Sequence, residues 1–119
     1  MNVDAMAEVF KALGDPHRLK ALHFLATATP ECCRSSGSVC ACDLIDHLQL
    51  AQPTVSHHMR LLTQAGLVSA TKQGRWTHYA LSVQGLQAVQ TLLSQLQVQA
   101  SSAAACSVAQ TPPHLLSAT

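Results

Sequence analysis

The sequence has few charged residues, few aromatic residues and no long apolar run. Charged residues make up 11% and aromatic residues 3% of its 119 positions, and the formal net charge is +1. A charge this small indicates no nucleic-acid partner by itself, although a local basic patch can still attract one. No stretch approaches the roughly 18 uninterrupted apolar residues of a membrane-spanning helix. Residues 1–4 lack the basic and apolar regions of a secretory signal, so we expect a cytoplasmic protein without a membrane partner.

The chain also lacks an even number of cysteines, which argues against a set of structural disulfides. It has five, four of them in the segment ECCRSSGSVCACDL at 31–44 and the fifth at Cys106. Cytoplasmic thiols stay reduced, and an odd count leaves one cysteine unpaired in any disulfide framework. The four clustered cysteines are therefore candidates for a metal site, a redox switch or small buried side chains.

Alanine, leucine, glutamine and serine are plentiful, a composition typical of helices that pack through aliphatic side chains. Apolar residues at helical spacing predict a first helix over 3–13, which Gly14 ends. Asp15 as the N-cap and Pro16 at the first helical position predict a second helix that runs to about Ala26. A chain of this length predicts one domain with a modest core.

Two short helices and a hairpin follow in the middle of the chain. The pattern predicts a helix over 42–50 and, after a tight turn, a second helix over 53–66. Residues 67–82 then alternate in short β-like runs around a tip at 72–75, where glycine tolerates a positive φ. This order predicts a mainly α fold with a β-hairpin wing, the winged helix-turn-helix.

A last helix is predicted from Val83 to Gln99, with leucines and valines at helical spacing. Beyond it the residues are small, polar and interrupted by proline, which predicts a flexible tail. We therefore expect a DNA-binding and dimerisation domain over 1–99 and a flexible C-terminal tail over 100–119.

The second helix of the central pair carries unusual side chains on its outward face. An ordinary solvated face would show Glu and Lys, whereas this one has short hydrogen-bonding groups and a guanidinium, which suit base edges and phosphates in a major groove. The hairpin tip adds two cations that can reach the adjacent DNA backbone or minor groove. These features predict DNA binding through Thr54, Ser56, His57 and Arg60 of the helix and Lys72 and Arg75 of the tip.

Three segments in order, FKALGDPHRLKAL, QPTVSHHMRLLTQAGLV and KQGRWTHYAL, resemble the ArsR/SmtB family of bacterial metal- and metalloid-sensing repressors. The resemblance covers roughly Val9 to Leu96. It implies a homodimer that pairs through its first and last helices, binds an inverted-repeat operator and releases it when an inducer binds. Family members commonly have Ser where this chain has Ala51, so a helix-capping hydroxyl is missing here. The resemblance also implies operator contacts by Gln52, Thr54, Ser56, His57 and Arg60, with Lys72 and Arg75 in the wing.

The cysteines indicate which inducer to expect. The zinc sensors of the family carry Asp, His and Glu ligands on the last helix, and VQGLQAVQTLLSQLQVQ has none of these. The segment VCACDL instead resembles the arsenic-responsive branch, with Ile45 in place of that branch's third cysteine. The resemblance implies As(III) or Sb(III) as inducer and no organic cofactor. Since these ions prefer three thiolates, we expect ligands from Cys40 and Cys42 with one or both of Cys32 and Cys33, and Cys106 as a less favoured candidate.

The spacing of Cys40 and Cys42 also predicts a switch. Residues two apart on a regular helix point in nearly opposite directions, so these thiols can converge only if the helix start frays or has not begun. We therefore expect an inducer to distort the first turn of the helix. Thiols at a helix start also commonly have a lowered pKa.

The leading hypothesis is a metalloid-responsive transcriptional repressor, and two alternatives keep the same fold. One senses a soft divalent ion such as Cd(II), Pb(II), Hg(II) or Zn(II). The other senses redox state through Cys32 and Cys33 or through Cys40 and Cys42, although a vicinal pair forms a strained ring when oxidised. A thiol carrier of metals has no need of the basic hairpin tip. An enzyme is not expected, because no base and orienting acid accompany a cysteine.

Overall fold

Five helices and three strands make up the part of the chain that this computed structural model describes, residues 2–27 and 38–106 with side chains to 102. The strands form one antiparallel sheet in the order β1-β3-β2. The mainly α winged helix-turn-helix is confirmed, with α3 and α4 as the helix pair and the β2–β3 hairpin as the wing. The elements are α1 (Val3–Leu13), α2 (Pro16–Thr27), β1 (Val39–Cys40), α3 (Ala41–Leu48), α4 (Gln52–Gln64), β2 (Val68–Gln73), β3 (Trp76–Leu81) and α5 (Val83–Cys106).

The junction between α1 and α2 forms as the sequence predicts. Gly14 ends α1, and Pro16 occupies the first position of α2. Oδ2 of Asp15 accepts hydrogen bonds from the backbone N–H groups of His17 at 2.9 Å and Arg18 at 3.1 Å. Such a cap satisfies two amides that have no partner within the helix and stabilises it by about 1 kcal/mol.

The helix pair is held by one buried face on each helix. α3 buries Leu44 and Leu48, and α4 buries Val55, Met59 and Leu62, as their helical spacing predicts. Burying an aliphatic side chain of this size contributes about 1.5–3 kcal/mol. These residues therefore fix which face of α4 is left to solvent.

The turns at the two ends of β2 depend on two glycines. Gly66 follows the end of α4 with φ 79°, and Gly74 begins the hairpin turn with φ 65°, a region that side chains disfavour. Gly74 and Arg75 alone join β2 to β3, and glycine first in a two-residue turn is typical of a type II′ hairpin. At the start of α4 the N-cap Ala51 makes no side-chain hydrogen bond, as its methyl group requires.

Two features of the secondary structure differ from the sequence prediction. The pattern does not predict the two-residue strand β1, which pairs with β3 through Val39 opposite Tyr79 and Cys40 opposite His78. α5 ends at Cys106 rather than at Gln99, because the alanines after position 99 have high helix propensity. The chain divides into two compact units at 89/90, so α5 contributes to both. No helix among the described residues is long and apolar enough to cross a membrane.

Gly85, in the first turn of α5, lies closer to a neighbouring backbone than Gly14, Gly66 or Gly74 does. A Cβ built on it would lie 2.7 Å from the carbonyl carbon of Gly66 and closer still to its oxygen. In an unconstrained helix Gly→Ala stabilises by about 0.5–1 kcal/mol, but overpacking against fixed backbone costs about 1–3 kcal/mol. We therefore expect Gly85→Ala to lower the free energy of unfolding by about 1–2 kcal/mol.

Urea unfolding followed by circular dichroism measures this effect. The exposed Gln87 of the same helix provides the control, since Gln87→Ala is expected to change the free energy by less than about 0.5 kcal/mol. A stabilised Gly85→Ala protein would show that the approach of α5 to Gly66 is looser than described.

Candidate functional site

The outward face of α4 is exposed along its whole length. It is defined by the buried Val55, Met59 and Leu62, which hold the opposite face against the core. The five residues that the sequence analysis assigned to DNA on this helix are all exposed, on the sides of α4 that the core leaves free. They are Gln52, Thr54, Ser56, His57 and Arg60.

A groove of about 330 Å³ lies between this helix and the wing. Ser56 and Arg60 line it from α4, and the buried Tyr79 lines it from β3. Burial raises the pKa of the Tyr79 hydroxyl, while a hydrogen bond with Thr77 and the charge of Arg60 act to lower it. The remaining lining residues are Thr63, Gln64, Ala70 and Thr77.

The wing tip presents the two predicted cations. Lys72 lies opposite Thr77 in the β2–β3 ladder, and Arg75 is in the two-residue turn beyond it. Both side chains are exposed. A hairpin of this length carries its cations away from the core, where they are free to approach a phosphate.

Cys40 and Cys42 converge at the start of α3. Cys40 is the N-cap, with extended backbone at φ −68° and ψ 144°, and its sulfur accepts the backbone N–H of Cys42 at 3.4 Å. The Cys42 thiol donates to the same sulfur, so that the two Sγ atoms are 2.7 Å apart. Because Cys40 precedes the helix, the thiols meet without any fraying. This is the second of the two conditions that the sequence analysis gave, a helix that has not begun at Cys40, so the thiols meet without distortion of the first turn.

The electrostatics of this pair also differ from the sequence prediction. Burial raises the pKa of the Cys42 thiol to about 11, with further contributions from the hydrogen bond and charge of Cys40 and from the charge of Asp43. The expected lowering by the helix start is not found for Cys42. Since metal binding requires thiolates, a soft ion must displace the proton of this thiol.

The side chains of the other three cysteines lie outside the described part of the structure. Cys32 and Cys33 lie outside the described residues, and Cys106 ends α5 beyond the last described side chain. Among residues 2–27 and 38–102, no group of three or more His, Cys, Asp or Glu side chains could hold a metal ion. The described part of the site therefore supplies two convergent thiols, which fit two positions of a soft ion's coordination shell.

A half-buried polar cluster, which the sequence analysis missed, ties α4 to the first two helices. The guanidinium of Arg18 donates to the carbonyl of Ala12 at 2.6 Å, to Nδ1 of His58 at 3.2 Å and to the carbonyl of Lys11 at 3.3 Å. Oδ2 of Asp15 lies 3.9 Å from Nδ1 of His58. His58 is buried, and its partner Arg18 is 40 residues away in the chain, so that no local pattern indicates the contact.

The charges in this cluster shift the pKa of two groups. Burial lowers the pKa of His58, electrostatic interactions with Arg18, His17 and His57 act in the same direction, and Asp15 opposes them. Burial acts to raise the pKa of Asp15, but hydrogen bonds from Arg18 and His17 and the neighbouring positive charges outweigh it and lower that pKa. His58 is therefore held neutral, with Nδ1 as an acceptor for Arg18.

Comparisons with known proteins agree with this architecture. Residues 15–70 match the family described as "Bacterial regulatory protein, arsR family". The chain is 48% identical over 73 residues, 61% of this chain and 73% of the relative, to an uncharacterized HTH-type transcriptional regulator of Methanocaldococcus jannaschii. It is 39% identical over 82 residues, 69% of this chain and 70% of the relative, to the arsenical resistance operon repressor of Staphylococcus xylosus.

A third relative is a homologue of the cadmium resistance transcriptional regulatory protein CadC from Staphylococcus aureus. It is 34% identical over 76 residues, which are 64% of this chain and 56% of the relative.

Solved structures show the same fold. A crystal structure of an ArsR family transcriptional regulator, RHA00566, superposes with a TM-score of 0.72 at 24% identity, covering 86% of this chain and 96% of that one. A solution structure from Mycobacterium bovis, described as a homodimeric winged helix-turn-helix DNA-binding domain, has a TM-score of 0.58 at 24% identity, covering 92% of this chain and 89% of that one. The chain belongs to the arsR family of bacterial regulatory proteins, which are DNA-binding transcription regulators.

Proposed function

We propose that this chain is a metalloid-responsive repressor, which binds operator DNA as a homodimer and releases it when As(III) or Sb(III) binds its cysteine thiolates. The observation that carries the proposal is the pair of sulfurs 2.7 Å apart at the start of α3. The helix that begins at these thiols is joined by residues 49–51 to α4, which carries the polar exposed face. The arsenical resistance repressors among the relatives support the choice of inducer.

The proposed DNA contacts follow from the exposed face of α4 and the wing tip. Arg60 and Gln52 have the length and donors to reach base edges, while Thr54, Ser56 and His57 suit shorter contacts to bases or phosphates. Lys72 and Arg75 contact the backbone beside them. An inverted-repeat operator places two such surfaces one helical turn apart, as a symmetric dimer requires.

The dimer is supported by apolar side chains exposed on α1 and α5, the helices expected to pair. Val3 and Phe10 are 74% and 39% exposed on α1, and Leu93 and Leu96 are 51% and 58% exposed on α5. A monomer in water leaves this apolar surface hydrated, whereas a dimer buries it.

A third thiolate completes the proposed metalloid site. Trivalent arsenic and antimony take three sulfurs in a pyramid, and the described residues supply Cys40 and Cys42. We propose that Cys32 or Cys33, or both, provide the rest, with Cys106 ranked below them. No organic cofactor is needed for this chemistry.

Two other repressor functions are compatible with the same thiols. A soft divalent ion also prefers thiolates, and the cadmium-resistance relative supports that alternative. Thiol oxidation is the second, favoured by the proximity of the two sulfurs, although the raised pKa of Cys42 slows its reaction with oxidants.

Fluorescence anisotropy of a labelled inverted repeat, bound by the reduced protein, tests the proposal. As(III), Sb(III), Cd(II) and Zn(II) are titrated in turn into the complex. Release by the trivalent ions at stoichiometric levels and not by zinc is the expected result. Release by divalent ions alone would contradict the metalloid assignment, and release only on adding peroxide would assign the switch to oxidation.

The wing contact makes a separate prediction about salt. Each lost phosphate contact lowers the slope of log K against log salt by about 0.9, hence by about 2 in a dimer. Arg75→Ala is therefore expected to weaken binding to all sequences alike and to flatten this slope. Lys20, an exposed cation on α2, provides the control, because Lys20→Ala should leave the slope unchanged. An unaltered slope in Arg75→Ala would remove Arg75 from the phosphate contacts.

A further inference from the structure

Cys40 takes part in three structural units at once. It is the N-cap of α3, its sulfur accepts a hydrogen bond from the Cys42 thiol, and it is the last residue of β1. In the β1–β3 ladder it lies opposite His78, and its neighbour Val39 lies opposite Tyr79. A displacement of Cys40 is therefore transmitted to the wing as well as to the helix pair.

An ion bound by both thiolates changes this arrangement. The S–H group of Cys42 that donates to the sulfur of Cys40 is lost, and two bonds from the ion to the sulfurs replace that hydrogen bond. Cys42 is held in the first turn of α3, whereas Cys40 belongs to a strand of only two residues. The smaller restraint is on Cys40.

The central strand β3 connects this displacement to the DNA-binding surface. Directly opposed residues of antiparallel strands project from the same face, with Cβ atoms about 4.5–5.5 Å apart. Val39 and Tyr79 form such a pair, and they are only 3% and 7% exposed. Tyr79 also lines the groove that Arg60 and Ser56 of α4 line from the other side. A shift of β1 therefore reaches the contact between the wing and α4.

We infer that inducer binding at Cys40 and Cys42 moves the wing relative to α4 through the β1–β3 ladder, with Val39 and Tyr79 as the positioning residues. This inference rests on the proposed function, since it describes the regulation of the same thiol site. Inducer binding would then disturb the DNA contacts of Lys72 and Arg75 through β3. In the alternative, the displacement passes from α3 into α4 and leaves the wing in place.

Trp76 reports on the wing without any DNA. It is the sole tryptophan of the chain, it is the first residue of β3, and it is 38% exposed beside the turn. As(III) is titrated into the reduced, full-length protein while thiolate–arsenic absorbance follows binding and acrylamide quenching follows Trp76. The expected result is a change in quenching that saturates together with the absorbance.

Two matched substitutions test the route. Val39 and Val68 are both 3% exposed, so Val39→Ala and Val68→Ala lose the same side-chain volume, but only Val39 belongs to the β1–β3 ladder. An effector typically changes ligand affinity by about 5–150-fold. We expect the ratio of operator Kd with and without As(III) to fall several-fold in Val39→Ala and to be retained in Val68→Ala.

The outcomes separate this inference from the function on which it rests. Arsenic binding and operator release without any change at Trp76, and with equal ratios in the two valine variants, would overturn the wing route and leave the repressor function standing. Absence of arsenic binding would overturn both. A quenching change together with a reduced ratio in Val39→Ala alone supports the route through β3.

Discussion

The Cys40→Ser substitution is expected to leave operator binding intact and to abolish its reversal by As(III). Serine is among the best N-cap residues, so its hydroxyl replaces the sulfur that accepts the Cys42 N–H and α3 keeps its start. The hydroxyl is a poor ligand for a soft ion. The ratio of operator Kd with and without As(III), expected to be about 5–150 in the parent protein, should therefore become 1.

Anisotropy titrations with and without As(III) measure this ratio, and Cys42→Ser is expected to give the same result. Cys106→Ser is the matched control, because Cys106 is ranked below the other thiols as a ligand. If Cys40→Ser lost operator binding while its unfolding free energy remained native, the thiol pair would be part of the DNA-binding surface rather than a separate sensor.

Removal of the Arg18 side chain has the largest effect that we expect on stability. Its guanidinium satisfies the Ala12 carbonyl and Nδ1 of His58, and each buried group left without a partner costs about 1–3 kcal/mol. Arg18→Ala should therefore lower the free energy of unfolding by about 2–4 kcal/mol. Arg18→Lys should rescue little, because an ammonium cannot reproduce the fork of donors.

Urea unfolding at neutral pH measures the loss, with Lys20→Ala on the same helix expected to stay within about 0.5 kcal/mol of the parent. Arg18→Ala that unfolds like Lys20→Ala would show that solvent satisfies the groups around His58.

The same cluster predicts how stability depends on pH. A histidine with a lowered folded pKa binds fewer protons in the folded chain than in the unfolded chain. The contribution of His58 is therefore fully present above its ordinary pKa of 6.5 and is lost as the pH falls through the folded value. Asp15, with a pKa also lowered from 3.8, adds a second loss at more acidic pH.

Unfolding free energies measured from pH 8 to pH 4 should fall below pH 6.5. Arg18→Ala should reduce this fall, since it removes one of the positive charges that lower the pKa of His58. The groups facing His58 are Arg18 and His17 of α2, Asp15 just before that helix, and the neighbouring His57. If the unfolding free energy of Arg18→Ala fell as steeply, the loss of stability below pH 6.5 would belong to another histidine.

Local patterns predicted those elements whose formation depends on neighbours in the sequence. The Asp15 and Pro16 start of α2, the buried face of α4 and the glycine turn at the wing tip all follow from residues within a few positions of each other. The exposed face of α4 was predictable for the same reason, because burial of Val55, Met59 and Leu62 dictates it.

The features that sequence reasoning missed depend on contacts between distant segments. β1 has two residues, too few for an alternation pattern, and it forms only because β3 is available to pair with it. The sequence analysis allowed that the helix has not begun at Cys40 but gave no reason for it, whereas the pairing of Cys40 with His78 fixes it in extended backbone. The contact of Arg18 with His58 spans 40 residues.

The outer strand of the wing has a consequence for how the protein behaves at high concentration. β2 forms one edge of the sheet, and all its residues after Val68 are exposed. Edge strands present backbone groups that can recruit another chain and start aggregation, a tendency opposed by short length, lysine and a polar surface. The sequence SATKQ at 69–73 combines these properties. The wing can therefore extend into solvent without adding strands from other copies of itself.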